Sequence, residues 1–235
     1  MNVEVLEGFP LELSLEEALG KLRIGKERTD KLGASEVFRT AMSLIRPKAL
    51  FGHAYVSRHR PDRVQVEDVG FTSRILSKNL EEAERVFPYI ITIGEALEKE
   101  AHSSEGIAKG LLLETLGDLA LGSSLEYLEN HLSGRFGLGT LSNMGPGQLD
   151  WPIAEQRQLF SILGEVRGKI GVTLTDSLLM VPRKSISGII FPTDVTFTSC
   201  QLCERKNCPS RKAPYDTDLA RKYIQDGATD HSRSG

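Results

Sequence analysis

The chain predicts an α+β fold, and three observations carry that expectation. Its 235 residues are 40% hydrophobic, enough for a core of generous size. One long helical stretch carries Leu121, Leu125, Leu128 and Leu132 at helical spacing, a single apolar stripe. The runs with strand character, Ala49 to Ser57, Tyr89 to Ile93 and Val172 to Met180, do not alternate regularly with helices, so a doubly wound parallel sheet is disfavoured.

From the N-terminus, Ser14 followed by Leu15-Glu16-Glu17-Ala18-Leu19 predicts a capped helix start, with Glu17 placed to complete the cap. A second helix is expected from Ser35 to Ile45, ending before Pro47. Ala49 to Ser57 is expected to be extended, and Val64 and Val66 alternate with polar neighbours like a half-buried strand. Leu80 to Val86 has helical composition. Tyr89 to Ile93 is a β-rich run ending at Gly94, and Glu95 to Ala101 returns to helix formers.

The longest helix is expected from Ile107 to Leu132. Gly117, Ala120, Gly122, Ser123 and Ser124 make its middle small enough for close approach and weak enough to break. Gly134 to Gly147 reads as a loop. Asp150 and Pro152 open another helix, with Ile153, Phe160 and Leu163 inward and Gly164 as its stop. Val172, Leu174, Leu178 and Met180 predict a strand with period-two burial that Pro182 ends, and Ser185 to Phe191 is expected to pair back on it as a hairpin. The polar residues from Gly227 to Gly235 predict disorder.

Charge and composition exclude several classes. Charged residues make up 26% of the chain with both signs mixed, and the net charge is -3, so neither nucleic acid nor an anionic membrane is an expected partner. The basic residues Arg58, Arg60 and Arg63 read as solvated surface. No apolar run approaches the ~20 residues that span a bilayer. Met1 to Leu13 carries Glu4, Glu7 and Glu12 and no basic segment, so a signal peptide is not expected and the expected compartment is the cytoplasm.

In that compartment the three cysteines are expected to be reduced. Cys200, Cys203 and Cys208 form C-x2-C-x4-C, followed by Pro209 and Arg211. Thiols gathered so closely point to zinc or an iron–sulfur cluster, since thiolates are soft ligands and the first pair has the spacing of a tight metal turn. A closed site wants four ligands; Asp216, His231 or a partner's residue are the candidates for the fourth. A thiol–disulfide switch and inert surface thiols stay open as alternatives. Arg205, Lys206, Arg211 and Lys212 surround the segment with a positive charge that favours thiolates.

Other candidates have plainer readings. Ser185, Ser187 and Gly188, beside Arg183 and Lys184, make either a ligand-contacting rim or a tight turn with backbone-bonding hydroxyls. Asp176 and Ser177 lack a G-x-S-x-G elbow, which sets a serine hydrolase aside. Glu114 and Asp118, one helical turn apart, read as a solvated helix face, His53 and His59 as ordinary packing or surface, and Trp151 as a hydrophobic staple.

Four motifs then come in order: Pro146-Gly147 with Trp151-Pro152, Ile170 to Ser177, Met180-Val181-Pro182, and Ser185-Ile186-Ser187-Gly188. Together, from Asn143 to Phe191, they resemble the reactivation domain of cobalamin-dependent methionine synthase, with a weaker likeness at Thr92-Ile93-Gly94 and the long helix. The resemblance implies a C-shaped single α+β domain with a bent antiparallel sheet flanked by helices. It implies a ligand-binding loop at Asn143, Met144, Gly145, Pro146, Gly147 and Gln148, and a turn at Ser185, Ser187 and Gly188. It also implies a role in returning oxidised cobalamin to methylcobalamin, with the domain covering the corrin and binding S-adenosylmethionine (AdoMet).

The chain departs from the family's polar anchors. Asn143 and Gln148 stand where the family has Arg and Tyr, Gly122 where it has an acid, and Phe197 and Thr198 near two tyrosines. An Arg fixes a carboxylate through a bidentate bond that Asn cannot supply. Each lost charged bond is worth roughly 1.5–3 kcal/mol, so the sequence argues against strong AdoMet binding, with backbone groups around Met144 to Gly147 left for a weak site.

The division expected is residues 1–198 as the activation-domain-like body, 199–215 as a Cys-rich metal or Fe–S segment, and 216–235 as a polar tail. The implied function is an accessory for reductive reactivation of a corrinoid methyltransferase, with cobalamin carried by the partner, a methionine synthase or other corrinoid protein. The alternatives are a non-catalytic corrinoid-protein-binding module with a structural metal, and a stand-alone AdoMet-binding protein.

Overall fold

The computed structural model describes residues 1–194, 199–207, 211 and 213–221. In chain order the elements are β1 (Asn2–Glu7), α1 (Leu15–Lys21), α2 (Lys26–Leu32), α3 (Ala34–Leu44), β2 (Lys48–Arg60), β3 (Arg63–Val66), β4 (Val69–Thr72), α4 (Arg74–Asn79) and β5 (Arg85–Thr92). There follow α5 (Ala96–Ser103), α6 (Ile107–Phe136), β6 (Leu141–Met144), α7 (Gln156–Leu163), α8 (Val166–Ile170), β7 (Thr173–Leu174), β8 (Met180–Val181), β9 (Ser185–Pro192) and the short α9 (Thr217–Ala220).

The main sheet among the described residues runs β4-β3-β2-β5-β9-β6, with β1 also paired to β2, and every pairing is antiparallel. β2 is the hub. Its first half lies between β1 and β5, its second half pairs with β3, and the register shifts between Val56 and Arg58. Such a bulge bends a strand. The α+β class and the antiparallel sheet are as the sequence predicts.

Successive residues of the central strands enter opposite cores, as strand geometry requires. Phe51, Tyr89, Ile91 and Ile190 pack with Val37 and Ala41 of α3 and Leu112, Leu116 and Leu128 of α6. Their neighbours Leu50 and Ile90 pack with Leu163 of α7 and Val166 and Ile170 of α8. Ala54, Val86, Ile189 and Phe191 share a third cluster with Phe71, Leu76, Met144 and Trp151. With both faces covered, β5 is apolar almost throughout instead of alternating.

The capped start of α1 is present: Ser14 Oγ accepts from Glu17 N at 3.2 Å. α6 runs unbroken through its small residues and stops at Gly137, whose φ of 62° suits glycine. Four local expectations are corrected. Leu80 to Val86 is not a helix: α4 ends at Asn79 and β5 begins at Arg85. The helix lies upstream because Ser73 caps it, accepting from Leu76 N at 2.9 Å, while Asp150 accepts from Ser73 Oγ and Arg74 N at 2.5 and 2.9 Å. Asp150, which reads as opening its own helix, thus supports a cap 77 residues away. Gly134 to Gly147 is not all loop, since α6 extends to Phe136 and β6 forms by pairing with β9. β9 does not pair back on Val172 to Met180. That stretch closes on itself as the β7–β8 hairpin, and β9 enters the main sheet between β5 and β6. Ile153 faces solvent, because a 3₁₀ turn at Ile153–Glu155 precedes α7 and rotates it outward.

The cysteine segment packs against the body. Leu202 and Ala220 are buried members of the cluster that holds Met144 and Trp151. No helix among the described residues is long and apolar enough to cross a membrane.

Candidate functional site

β6 pairs with β9 through Asn143↔Ile190 and Met144↔Ile189, and β9 pairs with β5 through Ser187↔Ile90 and Gly188↔Tyr89. The loop leaving β6 therefore lies beside Ser187 and Gly188. Two glycines make the approach possible. A Cβ on Gly145 would sit 2.5 Å from Ser187 O, and one on Gly188 would sit 2.5 Å from Met144 O. The structure thus brings together Asn143 to Gln148 and Ser187–Gly188, residues that are separated by some forty positions in the chain.

The loop is held by its own bonds and by a buried anchor. Gln148 N donates to Gly145 O at 3.1 Å, Gly145 N donates to Gln148 Oε1 at 3.2 Å, and Gly147 N donates to Trp151 O at 2.8 Å. Gly147 has a φ of 87°, a conformation that disfavours any side chain. Trp151 is 1% exposed and packs edge-on to Phe71 at 5.4 Å. Its indole N–H donates to Glu155 Oε2 at 2.8 Å, and Glu155 also accepts from Thr72 N. Trp151 is therefore a structural anchor for the loop.

Ser185, Ser187 and Gly188, expected on a turn, lie instead within β9, where pairing with β5 draws them into the sheet, and the bend Pro182 to Lys184 that leads into the strand is fixed from the other side. Ser185 Oγ donates to Pro182 O at 2.7 Å, so its hydroxyl has a backbone role. Arg183 pairs with Glu98 at 2.5 Å and Glu114 at 3.2 Å, and Lys184 Nζ lies 2.9 Å from Glu114 Oε2 and 2.5 Å from Asp118 Oδ1. Gly117 gives the Lys184 stem its path across α6, since a Cβ there would meet Lys184 Cε at 3.1 Å. Glu114 and Asp118 are therefore partners of this bend and not only a solvated face. Burial pushes the Glu98 carboxyl up, but the hydrogen bonds from the Arg183 guanidinium and backbone N–H, with the charge of Arg183, together outweigh it and hold the group below its usual range.

Two residues at this place are not legible in the local sequence. Asn143 Nδ2 donates to Glu129 Oε1 at 2.8 Å. Tyr89 is buried against Gly188, and burial, reinforced by the charge of Glu129, pushes its phenol well above the usual range, so it stays neutral. The one available signal for Glu129 is its place on α6 between the buried Leu128 and Leu132.

These residues do not fit a ligand anchored by its carboxylate at position 143. None of the loop residues from Asn143 to Gln148 is ionisable, and Asn143 gives its amide to an acid. What the arrangement offers is a hydrogen-bonded, largely uncharged rim of backbone, two glycines and the Ser187 position.

The cysteine segment lies at the far end of the chain. A 3₁₀ turn spans Ser199–Leu202, and Cys203 N donates to Cys200 O at 3.3 Å. Both cysteines are half-buried. Arg211 reaches across with Nη1 donating to Cys200 O at 2.9 Å and Ala213 O at 3.2 Å, while Nη2 donates to Cys203 O at 3.0 Å and also to Arg205 O. Asp216, a candidate ligand, caps α9 by accepting from Asp218 N and Leu219 N. Among the described residues no three His, Cys, Asp or Glu side chains converge as metal ligands. Cys208, His231, Phe197, Thr198 and the stretch from Gly227 to Gly235 lie outside the described residues.

The histidines in β2 have packing roles. His53 lies among Tyr55, Phe87 and Phe136 at 5.1–5.8 Å, and His59 Nε2 is 2.6 Å from Ser77 O.

Comparison with known proteins adds the following. The family described as vitamin B12 dependent methionine synthase, activation domain, matches residues 146–208. A crystal structure of the MetH reactivation domain bound to AdoHcy is similar with a TM-score of 0.55 and 16% identity, over 85% of this chain and 81% of that one. A search of curated proteins finds no match. The matched segment contains Pro146 to Gln148 of the loop, the Ser185 to Gly188 stretch of β9 and all three cysteines. Residues 146–208 are thus similar in sequence to the activation domain of vitamin B12 dependent methionine synthase, and the chain has a fold similar to that of the MetH reactivation domain.

Proposed function

We propose that this chain is an accessory for the reductive reactivation of a corrinoid methyltransferase, in first place a methionine synthase that lacks its own reactivation domain. The observation that carries the reading is the juxtaposition of the loop Asn143–Gln148 with Ser187 and Gly188, on adjacent strands of a sheet with this family's fold. A rim with little charge suits the edge of a macrocycle held by another protein, where the task is to exclude water and fix orientation. Asn143, Met144, Gly145, Pro146, Gly147, Gln148, Ser185, Ser187 and Gly188 are the residues assigned to it. Ser185 acts through the backbone it holds.

Asn143 bonded to Glu129 supports covering the corrin over anchoring AdoMet by its carboxylate. In this reading residues 1–198 form the body, 199–215 hold a soft metal or iron–sulfur cluster through Cys200, Cys203 and Cys208, and 216–235 form a tail whose first residues, through Ala220, pack on the body. A cluster there would supply the electron that reactivation requires. A second reading, a non-catalytic corrinoid-binding module with a structural metal, is favoured by the insertion of Leu202 and Ala220 into the body's core.

The test is anaerobic size-exclusion chromatography of the chain with a corrinoid methyltransferase fragment, with and without cobalamin, together with metal and sulfide analysis. Co-elution that depends on cobalamin supports the accessory role, and iron with sulfide supports the cluster. Calorimetric AdoMet binding without any corrinoid partner would favour the stand-alone alternative.

A further inference from the structure

The Cys200–Cys203 turn has a geometry that Cys208 does not need to complete. In a 3₁₀ turn, residues three apart eclipse one another on the same side, and a rise of about 2.0 Å per residue separates their Cα atoms by roughly 6 Å. Cys200 lies inside the Ser199–Leu202 turn, and the Cys203 N–H bond to Cys200 O extends the same pattern by one residue. The separation falls within the ~4.4–6.8 Å span that a disulfide bridges. The turn is also preformed. Arg211 binds the carbonyls of both cysteines, at 2.9 and 3.0 Å, and Leu202 between them is buried in the core. Both residues are only half-buried, which leaves the segment open to a small reagent. Beside them an open cleft of about 440 Å³ is lined by Glu204, Lys206, Arg211 and Tyr215.

We propose that Cys200 and Cys203 form a vicinal dithiol that closes reversibly to a disulfide, with Arg211 as the positioning residue that holds the turn in both states. The inference concerns the metal-free segment, since the disulfide would remove two of the thiolates that the proposed metal site uses, and it does not depend on the corrinoid partner. The chemistry is exchange with a low-molecular-weight disulfide. One thiolate attacks the oxidant's sulfur, and the S–S bond of the oxidant breaks with release of its first thiol. The second cysteine thiolate then displaces the other half. A Cys200–Cys203 S–S bond forms, the oxidant is reduced to two thiols, and the two protons end on those thiols.

The experiment is a redox titration of the full chain, chelator-treated and anaerobic, across glutathione to glutathione disulfide ratios. Products are trapped by alkylation and read by peptide mass spectrometry. Cys208→Ser is run in parallel so that a third thiol does not compete. The expected result is one Cys200–Cys203 disulfide in both proteins, reversed by dithiothreitol, and mixed glutathione adducts on Cys200 in Cys203→Ser. Arg211→Ala should lower the equilibrium constant for closure several-fold while leaving both thiols alkylatable, an effect that loss of fold by circular dichroism would distinguish. Persistent dithiol at oxidising ratios, stable glutathionylation of the wild type, or a bridge that requires Cys208 overturns the inference. Metal content of the untreated protein reports separately on the metal reading, so either one is able to fail alone.

Discussion

Asn143 and Glu129 meet across the junction of strand and long helix, with the amide donating to the carboxylate at 2.8 Å. The contact places an acid beneath the loop where the resemblance leads one to look for a cation. AdoMet is therefore expected to bind the wild-type chain weakly by calorimetry. Asn143→Arg combined with Glu129→Gln should strengthen binding by about tenfold or more, since one charged hydrogen bond is worth roughly 1.5–3 kcal/mol. Strong binding by the wild type, or no gain in the double variant, would contradict this account of the loop.

The approach of the loop to β9 depends on glycine. In Gly188→Ala the new Cβ meets Met144 O at 2.5 Å and Tyr89 Oη at 3.0 Å, so backbone must shift. A destabilisation of about 2–3 kcal/mol is expected in urea unfolding, from overpacking between strands. Gly122→Ala is the control, because nothing lies within 4 Å of its added methyl. It should be neutral or slightly stabilising in the helix.

Glu155 joins Trp151 to Thr72 from a position that is 9% exposed. Glu155→Ala leaves two donors without their acceptor, at a cost of about 1–3 kcal/mol for each buried group. Trp151 is the only tryptophan in the chain, so its emission reads the site directly. A red shift and faster quenching by acrylamide are expected in this variant, and unchanged emission with unchanged stability would show that the anchor is dispensable.

Acid should weaken the body through His53. Burial first, then the charges of Arg85 and Arg135, hold its imidazole below the usual histidine range against the opposing pull of Glu67 and Glu4. The folded state therefore takes up its proton later than the unfolded chain. Stability is full above the unfolded value of about 6.5 and falls as the pH drops through it toward the lowered folded value. Glu4 adds a second loss at lower pH: its hydrogen bond to Arg135 holds its carboxyl below the usual range, so that stability disappears as the carboxylate protonates. His53→Phe keeps the ring among Tyr55, Phe87 and Phe136 and should flatten the stability profile between pH 7 and pH 5.5, values that bracket about 6.5.

Much of the frame was legible because its signals are local. The Ser14 cap, the Leu121–Leu132 stripe and the Gly164 stop each lie within one element, and all are present. The failures have one physical origin, distant partners. Leu80 to Val86 looks helical, yet Val86 is drawn into the sheet by Ala54, and the helix forms upstream where Asp150 supports the cap. Leu141 to Met144 is glycine-flanked and loop-like until β9 pairs with it. At the site, the loop and turn were named from motif order, but Glu129 and Tyr89 carry no motif. They reach the loop because a helix and a neighbouring strand are packed beside it. Arg211 appeared as one of several cations near the thiols, and only the folded turn shows it bonded to the carbonyls of two cysteines.

The corrinoid reading is tested most directly by electron paramagnetic resonance of cob(II)alamin. An anaerobic corrinoid methyltransferase without its own reactivation domain, loaded with cob(II)alamin, is recorded before and after addition of this chain. The account predicts a changed cobalt signal that saturates at one chain per corrinoid and is lost when Gly188→Ala disturbs the rim. A signal that stays the same at excess of the folded wild-type chain, with no co-elution, would contradict it.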